Sequence, residues 1–139
     1  MTKQASGYVF DTGALALHFA GGSHGEKVKS YFDQVFGGSK EGYISEVTMA
    51  EYFYKTCQKL GIDVASIRSK SIRQSRIKVT PVDEAVSTIA GELKCKHADR
   101  ISIADAFAVA TAKIKKSELL TTDEALASLT EIKAKHIPI

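Results

Sequence analysis

Short apolar runs that stop on an acidic or hydroxyl residue alternate along this chain with longer segments of helical period. Tyr8-Val9-Phe10 breaks at Asp11-Thr12-Gly13, and Gly42-Tyr43-Ile44 gives way to Ser45. Ile77-Lys78-Val79 meets Thr80-Pro81, and Glu118-Leu119-Leu120-Thr121 stops at Thr122-Asp123. Brief, mostly apolar runs of this kind belong to strands covered on both faces, whereas strict polar alternation marks a sheet with one wet face. Parallel strands need a crossover to reach their neighbours, and the intervening helices supply it. The expected class is therefore α/β, a three-layer fold with a short, mostly parallel central sheet flanked by helices.

Caps place the helices. Ser23 and Glu26 have capping-box spacing ahead of Val28, Tyr31, Phe32, Val35 and Phe36, and Gly37-Gly38 ends that segment. Ser45 is positioned to cap a helix through Val47, Ala50, Tyr54, Cys57 and Leu60 to Gly61, and Asp63 a weaker one through Val64, Ile67 and Ile72. Thr80-Pro81-Val82-Asp83 combines a cap, a first-turn proline and an acid, which predicts a helix starting there with Val82, Ala85, Val86, Ile89, Ala90 and Leu93 on its buried stripe. Ser102 with Asp105 forms another capping box, followed by Ile103, Ala106, Phe107, Ala110 and Ile114 on one face. Glu124 to Leu129 suits a short helix, and Ile137-Pro138-Ile139 a terminal edge strand.

With 139 residues, 44% of them hydrophobic, the chain is expected to form a single domain, 1–139, around one core. Met1 to Gly7 is short and polar, and no run approaches the ~18 to 20 apolar residues that span a bilayer, so a soluble, cytoplasmic protein is expected. Cys57 and Cys95 make no CxxC pair and have no histidine at zinc spacing, which predicts buried reduced thiols. His18, His24, His97 and His136 share no ligand spacing and are read as surface or packing residues. A net charge of +3 is too small to announce a nucleic-acid partner.

The chemistry lies in the acids. Asp11 and Asp123 fall at the carboxyl ends of apolar runs, where ligands collect in open α/β sheets. Asp105 sits in the first turn of its helix, and Glu51 about two turns into the helix that begins near Ser45. If those helices start at one sheet edge, four carboxylates face one point. Ionised carboxylates at ~4 to 6 Å raise one another's pKa unless a cation compensates them. Oxygen-only donors select hard ions, Mg²⁺ or Mn²⁺, which can activate a water against a phosphodiester.

Four segments carry a family resemblance: Val9-Phe10-Asp11-Thr12-Gly13-Ala14-Leu15, Ile44-Ser45-Glu46-Val47-Thr48-Met49-Ala50-Glu51, Ser102-Ile103-Ala104-Asp105-Ala106 with Ala110-Thr111-Ala112, and Leu119-Leu120-Thr121-Thr122-Asp123. In this order and over nearly the whole chain, they resemble PIN-domain proteins, most closely the VapC group of toxins. The resemblance implies a PIN-like fold and a Mg²⁺- or Mn²⁺-dependent endoribonuclease, dimeric and inhibited by a cognate antitoxin protein. It implies Asp11 and Asp105 as the main metal ligands, Asp123 completing the acidic site, and Glu51 holding a metal water or a second metal. Thr12, Ser45 and Thr121 resemble the family's supporting hydroxyls. Leu126 stands where an aromatic often follows the last acid of the family.

Each site residue has a plainer reading. Asp105 fits a capping box, Glu46 competes with Glu51 but suits the helix dipole beside Ser45, and Asp99 suits a solvated loop. The basic run Arg68, Lys70, Arg73, Arg76 and Lys78 is either an RNA-phosphate surface or a solvated helix face, and Tyr52, Phe53 and Tyr54 suit core or dimer contacts. A haloacid-dehalogenase-type phosphatase needs Asp-x-Asp at the first strand, where Gly13 fills the second acidic place; a phospho-receiver needs adjacent early acids. Two rivals to a toxin stand: an rRNA- or tRNA-processing nuclease of the same fold, and a non-catalytic, metal-stabilised protein-binding module.

Overall fold

In a computed structural model of the protein the described residues run from 7 to 139, and the polar stretch before Gly7 lies outside them. Among the described residues, five strands form one sheet in the order β3-β2-β1-β4-β5, every neighbouring pair parallel. They are β1 (Gly7–Phe10), β2 (Glu41–Ser45), β3 (Lys78–Thr80), β4 (Glu118–Thr121) and β5 (Ala134–His136). The crossovers carry α1 (Thr12–Ala20), α2 (Gly22–Glu26) and α3 (Lys29–Phe36) before β2; α4 (Glu46–Leu60) and α5 (Ile62–Arg73) before β3; α6 (Glu84–His97) and α7 (Ile103–Lys115) before β4; and α8 (Glu124–Ala127) before β5.

Strand pleating divides the apolar side chains between two cores. Tyr8, Phe10 and Leu120 pack with Leu15, Phe32, Ile44, Met49 and Tyr52 on one face, where the Phe10 and Phe32 rings stack at 4.3 Å. Val9 and Leu119 join Val86, Leu93, Val109 and Leu126 on the other. β1 is buried along its whole length, which accounts for its unbroken apolar run. Among the described residues no helix is long and apolar enough to cross a membrane.

Local chemistry explains several elements as expected. Ser45 accepts from the Val47 amide at 3.1 Å and caps α4, which Gly61 ends at φ +92°. Both bonds of the Ser102–Asp105 capping box are made, at 3.0 and 3.1 Å.

Elsewhere tertiary contacts overrode the local pattern. Asp11-Thr12-Gly13 does not merely break β1: Asp11 caps α1, a helix the hydrophobic period did not reveal because Ala14, Leu15 and Leu17 are buried together while Ala16 and Ala20 are exposed. Ser23 makes no cap bond; α2 starts at Gly22, and α3 begins separately at Lys29. α5 starts at Ile62 from Gly61, with Asp63 inside its first turn. Thr80 remains in β3, donating to the Ile44 carbonyl at 3.2 Å, so Asp83 rather than Thr80 caps α6. On α7 the buried residues are Ala106, Ala108, Val109, Ala110, Thr111 and Ala112, whereas Ile103 and Ile114 are exposed. α7 packs against β1, β2 and β4 while α4 and α6 flank it, so small side chains that admit close approach take the buried positions. The last strand is Ala134–His136, with Ile137 buried just beyond it. Cys57 is half-buried and Cys95 exposed, both free thiols, so Cys95 corrects the expectation of burial.

Gly42 shows how closely the first core is fitted. A Cβ there would lie 2.6 Å from Val35 Cγ1 and 3.3 Å from the Phe10 ring. Gly42→Ala is expected to lower stability by about 1 to 3 kcal/mol through overpacking, read as a lower urea midpoint with an unchanged slope.

Candidate active site at the carboxyl edge of the sheet

Parallel pairing puts the carboxyl ends of all five strands at one edge. Asp11 follows β1 there, and its backbone amide donates to the Leu120 carbonyl of β4 at 3.2 Å. Its Oδ1 accepts from the Ala14 amide at 2.7 Å, and the residue is only 7% exposed. Burial pushes the Asp11 carboxyl above its ordinary range. The Thr121 hydroxyl and the Ala14 and Thr122 amides oppose that rise, and the charge of Asp105 adds to it.

Asp105 approaches from the first turn of α7, one oxygen held by the Ser102 amide. Asp123 follows β4, exposed, with Oδ1 accepting from the Ala125 amide at 2.9 Å and its own amide donating to Thr121 Oγ1 at 2.9 Å. Glu51 is half-buried on α4, where it accepts a hydrogen bond from the Thr12 hydroxyl and stands 3.4 Å from Lys55 Nζ. Ser45 is buried at the end of β2.

The edge thus brings these residues together in pairs. Asp11 feels Asp105, Thr121 serves both Asp11 and Asp123, and Thr12 joins the Asp11 turn to Glu51. Among the described residues no three acidic, histidine or cysteine side chains stand at metal-holding spacing. Each carboxylate has its own partners: Asp11, Asp105 and Asp123 accept from backbone amides, and Glu51 meets the Thr12 hydroxyl and Lys55. Their chemistry nonetheless suits a hard cation: the donors are carboxylates and hydroxyls, and a buried carboxylate repelled by its neighbour is one a divalent ion stabilises.

The basic run does not form one surface. Arg68 is half-buried, donating to the Tyr52 hydroxyl at 3.1 Å with its guanidinium 5.2 Å from the Phe19 ring centroid. Arg73 makes a two-pronged pair with Glu46 at 2.7 and 2.9 Å. Arg76 lies beside Lys40 and Lys78 at the opposite sheet edge.

Sequence reasoning missed Lys55 and Thr122. Lys55 was legible four residues after Glu51, the spacing of a helical ion pair. Thr122 had no local signal, because its role depends on the return of β4 to β1. Also missed was a groove of about 440 Å³ beside Thr12, lined by Ala16, Leu17 and Leu60 together with Lys55 and Lys59.

The sequence profile of the PIN domain matches residues 8–132, which takes in all four acids. The chain belongs to the PIN-domain family. PIN domains are in general nucleases that use divalent metals. Among curated protein sequences none matches this PIN domain. Solved structures share its fold: DNA-bound VapBC from Salmonella typhimurium at a TM-score of 0.75 and 14% identity, covering 94% of this chain and 98% of that one. VapC20 of Mycobacterium tuberculosis, described as a sarcin-ricin loop cleaving toxin, gives 0.71 at 18% identity, over 90% and 98%. FitAcB of Neisseria gonorrhoeae gives 0.65 at 22%, over 91% and 95%.

Because burial and Asp105 raise the proton affinity of Asp11, its ionised form opposes folding, and that cost grows as pH rises through the raised pKa. Asn caps a helix as well as Asp does. Metal-free Asp11→Asn is therefore expected to unfold at a higher temperature than the wild type at neutral pH, the gap closing as pH falls and Asp11 takes its proton. A variant that melts lower than wild type at neutral pH contradicts this account.

Proposed function

We propose that this PIN domain is a Mg²⁺- or Mn²⁺-dependent endoribonuclease, and within its family the toxin of a VapBC-type toxin–antitoxin pair. Buried Asp11 carries the reading: burial opposes its ionisation, the nearby charge of Asp105 from a separate element adds to that, and a divalent cation relieves the conflict. Asp11 and Asp105 would hold the ion, Asp123 would complete the acidic set, and Glu51 would hold a metal water or a second ion. Thr12 orients Glu51, Thr121 steadies the Asp11 and Asp123 turns, and Ser45 fixes the start of the helix that carries Glu51. When bound, the metal supplies an activated water and charge stabilisation at a phosphodiester.

RNA as substrate is supported by the PIN-domain family and by the fold shared with a toxin described as cleaving the sarcin-ricin loop. A protein antitoxin is supported by the fold shared with VapBC and by the apolar groove, which opens beside Thr12 and suits a covering segment. Exposed Leu60, Ile62 and Ile67 on the α4–α5 hairpin support self-association as a homodimer. The cytoplasm is the compartment in which such a toxin meets its RNA.

One observation favours a second reading, a non-catalytic, metal-stabilised protein-binding module: Asp11, Asp105 and Asp123 each accept from a backbone amide at a helix start, a structural role that needs no catalysis. The two readings are separated by titrating Mn²⁺ calorimetrically alongside an RNA cleavage assay. The nuclease reading expects cleavage that chelation stops and Mg²⁺ or Mn²⁺ restores, and a folded Asp105→Asn protein slower by at least about 10²-fold. Undiminished cleavage by Asp105→Asn overturns this site; Mn²⁺ binding without cleavage selects the second reading.

A further inference from the structure

An excess of positive charge in this PIN domain lies at the sheet edge opposite the acids. Where β2 and β3 begin, a pocket of about 420 Å³ is walled by Lys40, Arg76 and Lys78, with Glu41 its one acid. Where β4 and β5 begin, a second pocket of about 220 Å³ is walled by Lys113, Lys116 and Lys133, with Glu131 its one acid. Tyr43 bridges the two, with Lys78 Nζ 6.0 Å and Lys115 Nζ 5.3 Å from its ring centroid. Glu118, at the start of β4, is a third acid of this edge among the described residues. Among the described residues seven cations thus stand against three carboxylates, a local excess of four where the whole chain carries +3.

Helix-end electrostatics accounts for Lys113 and Lys115 in the last turn of α7, but not for Lys40, Arg76 and Lys133, which precede strands. Lys78 pairs with Glu41 at 2.6 Å, and no ion pair is made by Lys40, Arg76, Lys113, Lys115, Lys116 or Lys133 among the described residues. Glu131 is already committed to His97 and Lys96, at 2.8 and 3.1 Å.

We infer that this amino edge is a second binding surface, a phosphate-binding exosite for folded RNA. The inference takes RNA as the polyanion from the proposed nuclease function and goes beyond it in giving the RNA a second point of attachment. The acidic edge repels phosphates until a metal is bound, so attachment to the metal-free protein falls to the opposite edge. The two edges are separated by about 15 Å of strand, a distance one folded RNA spans. Val35 and Ile77 in the first pocket are both buried, so that pocket offers charge to a phosphate and no apolar anchor to a protein or membrane partner.

The test is binding of a labelled RNA hairpin to full-length Asp11→Asn protein in chelator across a salt series. Lys40→Gln/Lys115→Gln/Lys133→Gln is expected to weaken binding about tenfold or more and to reduce the slope of log affinity against log salt by about 2. Lys27→Gln/Lys70→Gln/Lys135→Gln, with the same net charge but altered elsewhere, is expected to change both far less. Replacing the three edge lysines by arginine is expected to preserve binding, which separates lost charge from lost folding. Equal loss in the two glutamine variants, no loss in the edge variant, or capture of anionic phospholipid vesicles in preference to the hairpin overturns the exosite. Cleavage in Mg²⁺ by the protein with native Asp11 is scored separately: absent cleavage with edge-dependent binding sinks the nuclease reading alone, and cleavage with edge-independent binding sinks the exosite alone.

Discussion

Parallel pairing of β1 with both β2 and β4 is the constraint on which the rest of the molecule depends. The register that sets Val9 beside Tyr43 and Leu119 buries β1 on both faces and forces every crossover helix to return across the sheet. It also fixes polarity. The last residues of all five strands share one edge, so Asp11 and Asp123, far apart in sequence, leave neighbouring strands side by side, and Thr121 serves both.

The acids at that edge do two jobs. Asp11, Asp105 and Asp123 each satisfy a helix amide that would otherwise lack a partner, which ties the start of three helices to the side chains available for chemistry. For Asp105 the capping-box and site readings coexist, since capping uses one carboxylate oxygen. Burying Asp11 near Asp105 works against stability, and a site that opposes its own ionisation in this way is suited to a cation.

Charge is sorted along the strand direction. The acids of the candidate site lie at the carboxyl edge, and an excess of lysine and arginine lies at the amino edge, so a modest net charge conceals two surfaces of opposite sign. Between the edges several cations are paired locally: Arg73 is held by Glu46, Lys29 by Asp33 and Lys96 by Glu131. Arg68 is anchored between Tyr52 and Phe19, so its cation serves packing between α5, α4 and α1.

Sequence by itself determined the layer architecture, the parallel sheet and the order of the four acidic segments, because unbroken apolar strands and capping residues are local signals. It also marked Ser45 and Ser102 as caps, whose partners lie two and three residues away. It did not reveal α1, whose capping residue is also a candidate site residue, nor which residues of α7 are buried, since a helix flanked by others and seated on a sheet buries small side chains on several sides. Only the tertiary structure decided which acids meet, because Asp11 senses Asp105 through the docking of α7 on β1, and Glu51 reaches Thr12 through the packing of α4 on α1. The same holds for the basic run, contiguous in sequence yet dispersed between a buried anchor, an ion pair and the amino edge. Spacing along a chain sets what a helix or strand presents, but the proximity of charges from different elements depends on how those elements pack.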